Sequence, residues 1–336
     1  MLSQATETDT VSVGVVPVGG FALLSYASLI EPMRAANLVT GQKLFDVQVL
    51  DPEASDVQSI DAMSHRPESS GGLPVAPTLS WEQASSLDWI FLVAGGNPET
   101  YADRGLFRRL RKAAADGVGV GGVSGGPLLL ARAGLLTNRR MTVHWEHNEA
   151  LGRLATGAIV QRSLYVIDRD RMTCAGGTAA IDMMHTFIAS RFGAGCARKV
   201  SEWFVHTEAR PGHGPQQADI ITRYGIANAA VAQSVQLMES HLADTLSIEA
   251  LAKLSGKSVR QLSRLFNLEV GVSPAAFYRK LRLDTAHSLL RRSDASVTDI
   301  ALATGFSDAA HFSSAFKSCF DVTPSAVRAM TKGQAG

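Results

Sequence analysis

A chain of 336 residues with 46% hydrophobic residues is long enough for two domains, each with a sizeable core, and its formal net charge of +1 excludes a protein that coats nucleic acid through bulk charge. Three cysteines, Cys174, Cys196 and Cys319, are widely spaced and odd in number, which fits neither a disulfide scaffold nor a metal-binding pattern. No apolar run reaches membrane-spanning length and residues 1–10 are polar, with Glu7 and Asp9, so the expected compartment is a reducing cytoplasm.

Residues 11–18, VSVGVVPV, form a short apolar run ending at Gly19-Gly20 and read as a buried parallel strand. A helix is expected over 25–39, with Leu29, Ile30 and Met33 inward, then a second strand over 45–50. Residues 51–72 read as polar loop, and 74–77 carry turn signals. The third strand, 89–93, ends in Ala94-Gly95-Gly96-Asn97-Pro98, and a helix follows over 103–116. The fourth, 119–123, ends in Ser124-Gly125-Gly126-Pro127, with helix resuming over 128–133. Residues 164–168 and 172–174 read as strands around the turn Arg169-Asp170. Gly176-Gly177-Thr178 then opens a helix over 179–191, and another over 193–206 suits a dimer contact. Strands alternating with helices place this half in the α/β class, as a flavodoxin-like parallel sheet flanked by helices. Ligands of such sheets bind beyond the carboxyl ends of the strands, so the three glycine-bearing strand ends should converge on one crevice.

Pro211-Gly212-His213-Gly214-Pro215 is the clearest breaker in the chain. The expected division is a sensing and dimerising domain over 1–210, a linker over 211–228, and an all-α domain over 229–336 whose first helix covers 229–242. Within the last, one helical unit occurs twice, over 247–267 and 296–318. Each copy opens on a Ser suited to an N-cap, Ser247 and Ser296, and runs through a short amphipathic helix to a turn at Gly256 or Gly305. A second helix follows, over 258–267 and 308–318. Pro274 and Pro324, which close the copies, lie 50 residues apart. Such a helix-turn-helix lays its second helix in a DNA major groove, and two held rigidly could enter grooves roughly 34 Å apart. Residues 274–292 suit a rigid spacer, with an apolar stripe of Phe277, Leu281, Ala286, Leu289 and Leu290 and positive charge from Arg279, Lys280, Arg282, Arg291 and Arg292. From Ser247 onward, twelve Lys and Arg face seven Asp and Glu, a surplus where DNA would sit.

Two chemistries are open at the crevice. Gly122-Val123-Ser124-Gly125-Gly126 matches G-x-S-x-G, the elbow of a serine nucleophile, and His144 with nearby Glu146 could complete a relay. That reading makes the protein a serine hydrolase or amidase with a DNA-binding appendage. Alternatively the crevice only binds. Amides after Ser124 would hold a carboxylate, Phe21, Tyr26 and Trp145 would offer aromatic surface to a cationic end, and Glu146 a negative charge. Ser25, Gly95, Gly96, Asn97, Gly125, Gly126 and His144 would complete the lining. His144 and His147 lack a third ligand, so no metal is expected.

The segments RQLSRLF (260–266), GVSPAAFYRKLRLDTAHSLL (271–290), DIALATGFSDAAHFSSAFK (299–317) and TPSAVR (323–328) resemble the AraC/XylS family of transcription regulators over about 85 residues. The resemblance implies DNA contacts from Ser258, Arg260, Ser263 and Arg264 on the first recognition helix, and from Ala309, His311 and Ser314 on the second. Ser314 stands where that family commonly has Arg, so Ser313 and Lys317 are expected to contact backbone and His311 at most one base. The segments LVAGGNPE (92–99), GVSGGPLLLARAGLL (122–136), RRMTVHW (139–145) and CAGGTAAIDMM (174–184) resemble the PfpI-like, class I glutamine-amidotransferase-like domain. Active members put Cys at the elbow, commonly followed by His, and often keep an acid on the helix after the first strand. Here the elbow is Ser124-Gly125 and Ser25 stands near the acidic position, which implies lost catalysis. The two domains in this order are similar to the GlxA-type regulators. That likeness implies a homodimeric activator acting on double-stranded DNA with RNA polymerase, without a cofactor. Its small-molecule effector would be an amino-acid or quaternary-amine metabolite, betaine- or carnitine-like.

Overall fold

The computed structural model describes residues 10–53, 66–154, 156–217, 220–292 and 295–333, so residues 54–65 of the expected polar loop lie outside the described residues. The chain divides into two compact units between Gln216 and Gln217.

In chain order the first unit contains β1 (Val11–Pro17), α1 (Leu23–Thr40), β2 (Phe45–Val49), β3 (Trp89–Ala94), α2 (Arg104–Ala115), β4 (Gly119–Ser124), α3 (Gly126–Arg132), β5 (Arg140–Met141), α4 (Asn148–Arg153), β6 (Ile159–Val160), β7 (Tyr165–Asp168), β8 (Arg171–Cys174), α5 (Ala179–Phe192) and α6 (Ala194–Trp203). Six strands form one sheet in the order β2-β1-β3-β4-β8-β7, and β5 pairs with β6 separately. The five strands from β2 to β8 are parallel. Their order is that of a flavodoxin-like doubly wound sheet. β7 departs from the all-parallel expectation: it runs antiparallel to β8, because the short turn at Arg169-Asp170 leaves no room for a crossover.

The continuous apolar runs of β1 and β3 follow from burial on both faces. Successive side chains of a strand point to opposite sides. Val13, Val15, Phe91 and Val93 join Leu29, Met33, Met183 and Met184 in the layer of α1 and α5. Val16, Ile90 and Leu92 join Leu106, Leu110, Leu128 and Leu129 in the layer of α2 and α3.

The second unit contains α7 (Ile220–Tyr224), α8 (Ala229–Ser240), α9 (Ile248–Leu254), α10 (Val259–Val270), α11 (Pro274–Arg292), α12 (Val297–Ala303), α13 (Ala309–Phe320) and α14 (Pro324–Gly333). The expected duplication is present, and Ser247 and Ser296 cap their helices as expected, while Ser258, expected at DNA, is a third cap. Ser247 Oγ accepts from Ala250 N, while Ser258 and Ser296 each form a reciprocal capping box. Each copy has its own core. Leu251, Leu262 and Phe266 pack with Tyr278 of α11, and Ile300, Phe312 and Phe316 pack with Leu283, Ala286 and Leu290 further along the same helix. α11 is thus a shared beam between the copies. Arg282 is drawn inward from the expected charged face: its Nε donates to Thr304 O at 2.6 Å and its guanidinium lies 4.2 Å from the Phe306 ring centre.

The stretch read as a linker, 211–228, is divided between the units. Gly212 O accepts from Leu164 N at 2.8 Å in the first. Ile220, Tyr224 and Ile226 pack into the core of α8 to α10 in the second. Among the described residues no helix is long and apolar enough to cross a membrane.

Candidate effector crevice and nucleic-acid interface

The carboxyl ends of β1, β3, β4 and β8 meet at one place, as the parallel order requires. The β3 end lies against the β1 end, where a Cβ added to Gly95 would stand 2.7 Å from Gly20 O. Ser124, at the end of β4, holds φ at 60° and is 7% exposed. Such a left-handed conformation is uncommon outside glycine, so the elbow has kept its strain. Gly176, beyond β8, closes the floor from the other side with φ at +88°. A Cβ there would stand 2.6 Å from Ser124 Cβ and 2.7 Å from Ser25 Oγ, so only glycine fits. Ser25 Oγ accepts from Gly177 N at 2.7 Å and pins this loop to the first turns of α1. Ser25, Ser124, Gly176 and Gly177 therefore form a closed base.

His144 lies at one wall. Its backbone N–H donates to Ser124 O at 3.4 Å, and its Nδ1 is 3.4 Å from Glu146 N and 3.7 Å from Glu146 Oε2. Its ring is 5.2 Å from that of Trp145 and 5.9 Å from that of His147. Among the described residues no hydrogen bond joins the Ser124 hydroxyl to the His144 ring. The Cys174 thiol, buried and bonded by Gly176 N at 3.3 Å, is pushed up to about 12 by burial and stays protonated at neutral pH.

Three expectations for the lining are corrected. Phe21 is fully buried and packs on Tyr26, with ring centres 5.1 Å apart. The chain turns inward after Gly20 and is covered by residues 68–70, Ser70 N donating to Phe21 O at 2.8 Å. Phe21 is therefore core rather than crevice surface, and Tyr26 joins it in that core. Trp145 alone of the three aromatics is open, at 43% exposed, while Tyr26 is 8% exposed and burial raises the pKa of its hydroxyl. Third, the amide of Gly125 is not free for a carboxylate, because it donates to Ala94 O at 2.9 Å. Asn97 lies in a turn, where its carbonyl accepts from Thr100 N at 3.2 Å. Gly96 beside it is exposed and Gly126 is buried at the start of α3.

Sequence reading missed a cluster on α5. Asp182 is fully buried, yet its carboxylate accepts four hydrogen bonds from residues 206 and 210. The one signal was an acid inside the apolar run AAIDMMHTFI; nothing local links position 182 to 210.

The DNA-facing candidates divide by exposure. On α10, Arg260 and Arg264 are exposed and Ser263 half-buried, while Leu262 and Phe266 fill the core. Among the described residues neither guanidinium is in an ion pair, which leaves both charges for phosphate or guanine. The Ser258 hydroxyl is committed to its capping box with Gln261. On α13, His311, Ser314 and Lys317 are exposed, and Ala309 and Ser313 half-buried. Asp308 caps this helix, accepting from His311 N at 2.7 Å, and that bond holds its carboxyl below the usual range. Among the described residues α10 thus offers two exposed cations outside any ion pair, and α13 a serine, a histidine and a lysine behind an acid.

Comparison with known proteins agrees with this order of units. The DJ-1/PfpI family matches residues 34–190, and a helix-turn-helix domain family matches residues 251–330. The chain is 38% identical over 329 residues to the HTH-type transcriptional regulator GlxA of Rhizobium meliloti, covering 98% of each chain. It is 37% identical over 311 residues to the HTH-type transcriptional regulator CdhR of Pseudomonas aeruginosa, covering 93% of this chain and 89% of that one. Among solved structures, an AraC family transcriptional regulator from Pseudomonas putida shares the α/β fold, with a TM-score of 0.51 and 24% identity over 58% of this chain and 99% of that chain. A DJ-1/PfpI unit followed by a duplicated helix-turn-helix, similar from end to end to such regulators, means that the chain belongs to the GlxA-type, AraC-family transcriptional regulators.

Proposed function

We propose that this regulator is an activator whose α/β unit binds a small amino-acid or quaternary-amine metabolite, betaine- or carnitine-like, without turning it over. The observation that carries the reading is the base of the crevice. The elbow keeps its strained shape, but its side chain is the Ser124 hydroxyl rather than a thiol, and Ser25 spends its own hydroxyl on Gly177. A site that has kept its geometry while a serine replaces the thiol and a committed Ser25 replaces the acid suits binding rather than acyl transfer. Trp145, His144 and Glu146 are the groups for a cationic end, since such ends favour aromatic faces and negative charge.

On this reading the α/β unit also pairs two copies of the chain. The helical unit engages double-stranded operator DNA in the cytoplasm, where the activator meets RNA polymerase. Arg260 and Arg264 read bases, while Ser258, Ser263, Ala309, His311, Ser313, Ser314 and Lys317 position the two recognition helices in successive grooves.

A thermal-shift series on the full chain with glycine betaine, L-carnitine, L-arginine and putrescine tests the effector reading. One or more should raise the melting temperature in a saturable way, and the Trp145→Ala variant should lose that gain. No shift with any of them removes this ligand class. The strained elbow also keeps a serine hydrolase in view. Ester turnover that disappears in Ser124→Ala would replace the binding reading with that one.

A further inference from the structure

The chain leaves the α/β unit through a left-handed residue at the end of α6. α6 ends in a Schellman pair of bonds, Val205 N to Glu202 O at 3.1 Å and His206 N to Ser201 O at 2.9 Å, with Val205 at φ 55°. That position belongs to glycine in most helices, and a β-branched residue there is strained. Val205 is 85% exposed, so its side chain recovers nothing by packing. Two anchors hold the segment that follows. At the first, Asp182 Oδ1 accepts from His206 Nε2 and from Arg210 N, both at 2.9 Å, and Oδ2 accepts from Arg210 Nε at 2.9 Å and Nη2 at 2.6 Å. At the second, Gln216 Nε2 is shared among Thr142 Oγ1 at 3.0 Å, Val143 O at 2.9 Å and Ser163 O at 2.7 Å. Gln216 Oε1 is buried there and, among the described residues, has no hydrogen-bond partner. The attached state therefore carries a local penalty, the left-handed backbone at Val205, as a segment with an accessible detached state should.

Both anchors abut the crevice. Arg210 Nη2 donates to Thr178 Oγ1 at 2.8 Å, and Thr178 follows Gly177, whose amide Ser25 holds, and Gly176, which packs on Ser124. On the other side Val143 precedes His144, whose N–H reaches Ser124 O at 3.4 Å. Each anchor is thus one residue from the crevice base or wall, and Gln216 is the last residue of the α/β unit.

We propose that residues 205–216 are a two-anchor strap, and that occupancy of the Ser124 crevice sets whether it stays attached, so that the crevice acts on the chain where the DNA-binding unit begins. The proposal rests on the effector reading of that crevice. A ligand shifts the strap only so far as it binds the two states unequally, and the coupling is reciprocal.

Amide hydrogen exchange on the full chain tests the coupling without a ligand. Ser25→Ala frees Gly177 at the crevice without touching the strap. It should speed exchange at the amides of His206 and Arg210 several-fold. Asp182→Asn, at the anchor, should in return speed exchange at the amide of Gly177. Val205→Gly relieves the strain and keeps every anchor contact, so it should slow exchange at His206 and Arg210. Changes confined to the altered element in Ser25→Ala and Asp182→Asn would overturn the coupling. Unchanged or faster exchange in Val205→Gly would overturn the strained strap. Failure of every metabolite in the thermal-shift series would remove the effector reading while leaving the exchange results as they stand, so the two fail separately.

Discussion

Removing Arg210 should destabilise the α/β unit more than neutralising Asp182, although the two residues share the same bonds. Asp182 is fully buried, whereas the Arg210 side chain is 43% exposed. In Arg210→Ala the carboxylate stays in the core with two fewer side-chain partners, and breaking a buried pair from that side costs about 3–5 kcal/mol. Residual bonds from Arg210 N and His206 Nε2 put the expectation at the low end, about 3 kcal/mol. In Asp182→Asn the core holds a neutral amide of similar shape, and the released guanidinium swings into water. The cost is then about one charge-assisted hydrogen bond, roughly 1.5 kcal/mol. With Asp182 already neutral, losing Arg210 adds little. The double variant should lie near about 2 kcal/mol, giving a coupling of about 2.5 kcal/mol in a double-mutant cycle. All four tryptophans, Trp81, Trp89, Trp145 and Trp203, lie in the first unit, so urea unfolding followed by tryptophan fluorescence reports on that unit alone. At a slope near about 2 kcal/mol per molar urea, Arg210→Ala should lower the midpoint by about 1.5 M. An Asp182→Asn variant as costly as Arg210→Ala, or a coupling below about 0.5 kcal/mol, would refute the buried, charge-compensated carboxylate.

Three further outcomes follow from the geometry. Arg260→Ala should weaken operator binding by about 1–3 kcal/mol and relax preference at one base, while Lys317→Ala should weaken binding uniformly without changing preference; fluorescence anisotropy across a panel of operator variants distinguishes them. Gly176→Ala should cost the α/β unit about 2–4 kcal/mol in urea, combining overpacking against Ser124 with a left-handed backbone, and a cost within error of zero would mean the crevice base is open. Burial lifts the Cys174 thiol to about 12 from its ordinary 9, so the unfolded chain loses this proton first. Its contribution to stability is therefore complete below pH 9 and lost as pH rises towards about 12. Cys174→Ala should flatten that alkaline slope relative to the parent, and identical slopes would contradict the buried thiol.

The helical unit could be read almost entirely from local pattern. Ser247, Ser258 and Ser296 cap the turns that follow them, and Leu262, Phe266, Phe312 and Phe316 face inward at helical spacing. These relations span a few residues, so each segment carries its own instruction. The strands of the α/β unit were equally plain, since burial on both faces leaves an unbroken apolar run. What decided the crevice was long-range pairing that no spacing announces. Phe21 sits at the end of an apolar strand like an aromatic lining residue, yet residues 68–70 cover it. The Gly125 amide looked free until β3 and β4 aligned and gave it Ala94 O. Asp182 and Arg210 are 28 positions apart with the whole of α6 between them, and their pairing exists only because the segment after α6 folds back onto α5. Local chemistry sets which elements form and which face is buried; the unpaired donors, filled cavities and buried charges follow from which elements meet, and that is a property of the packed chain.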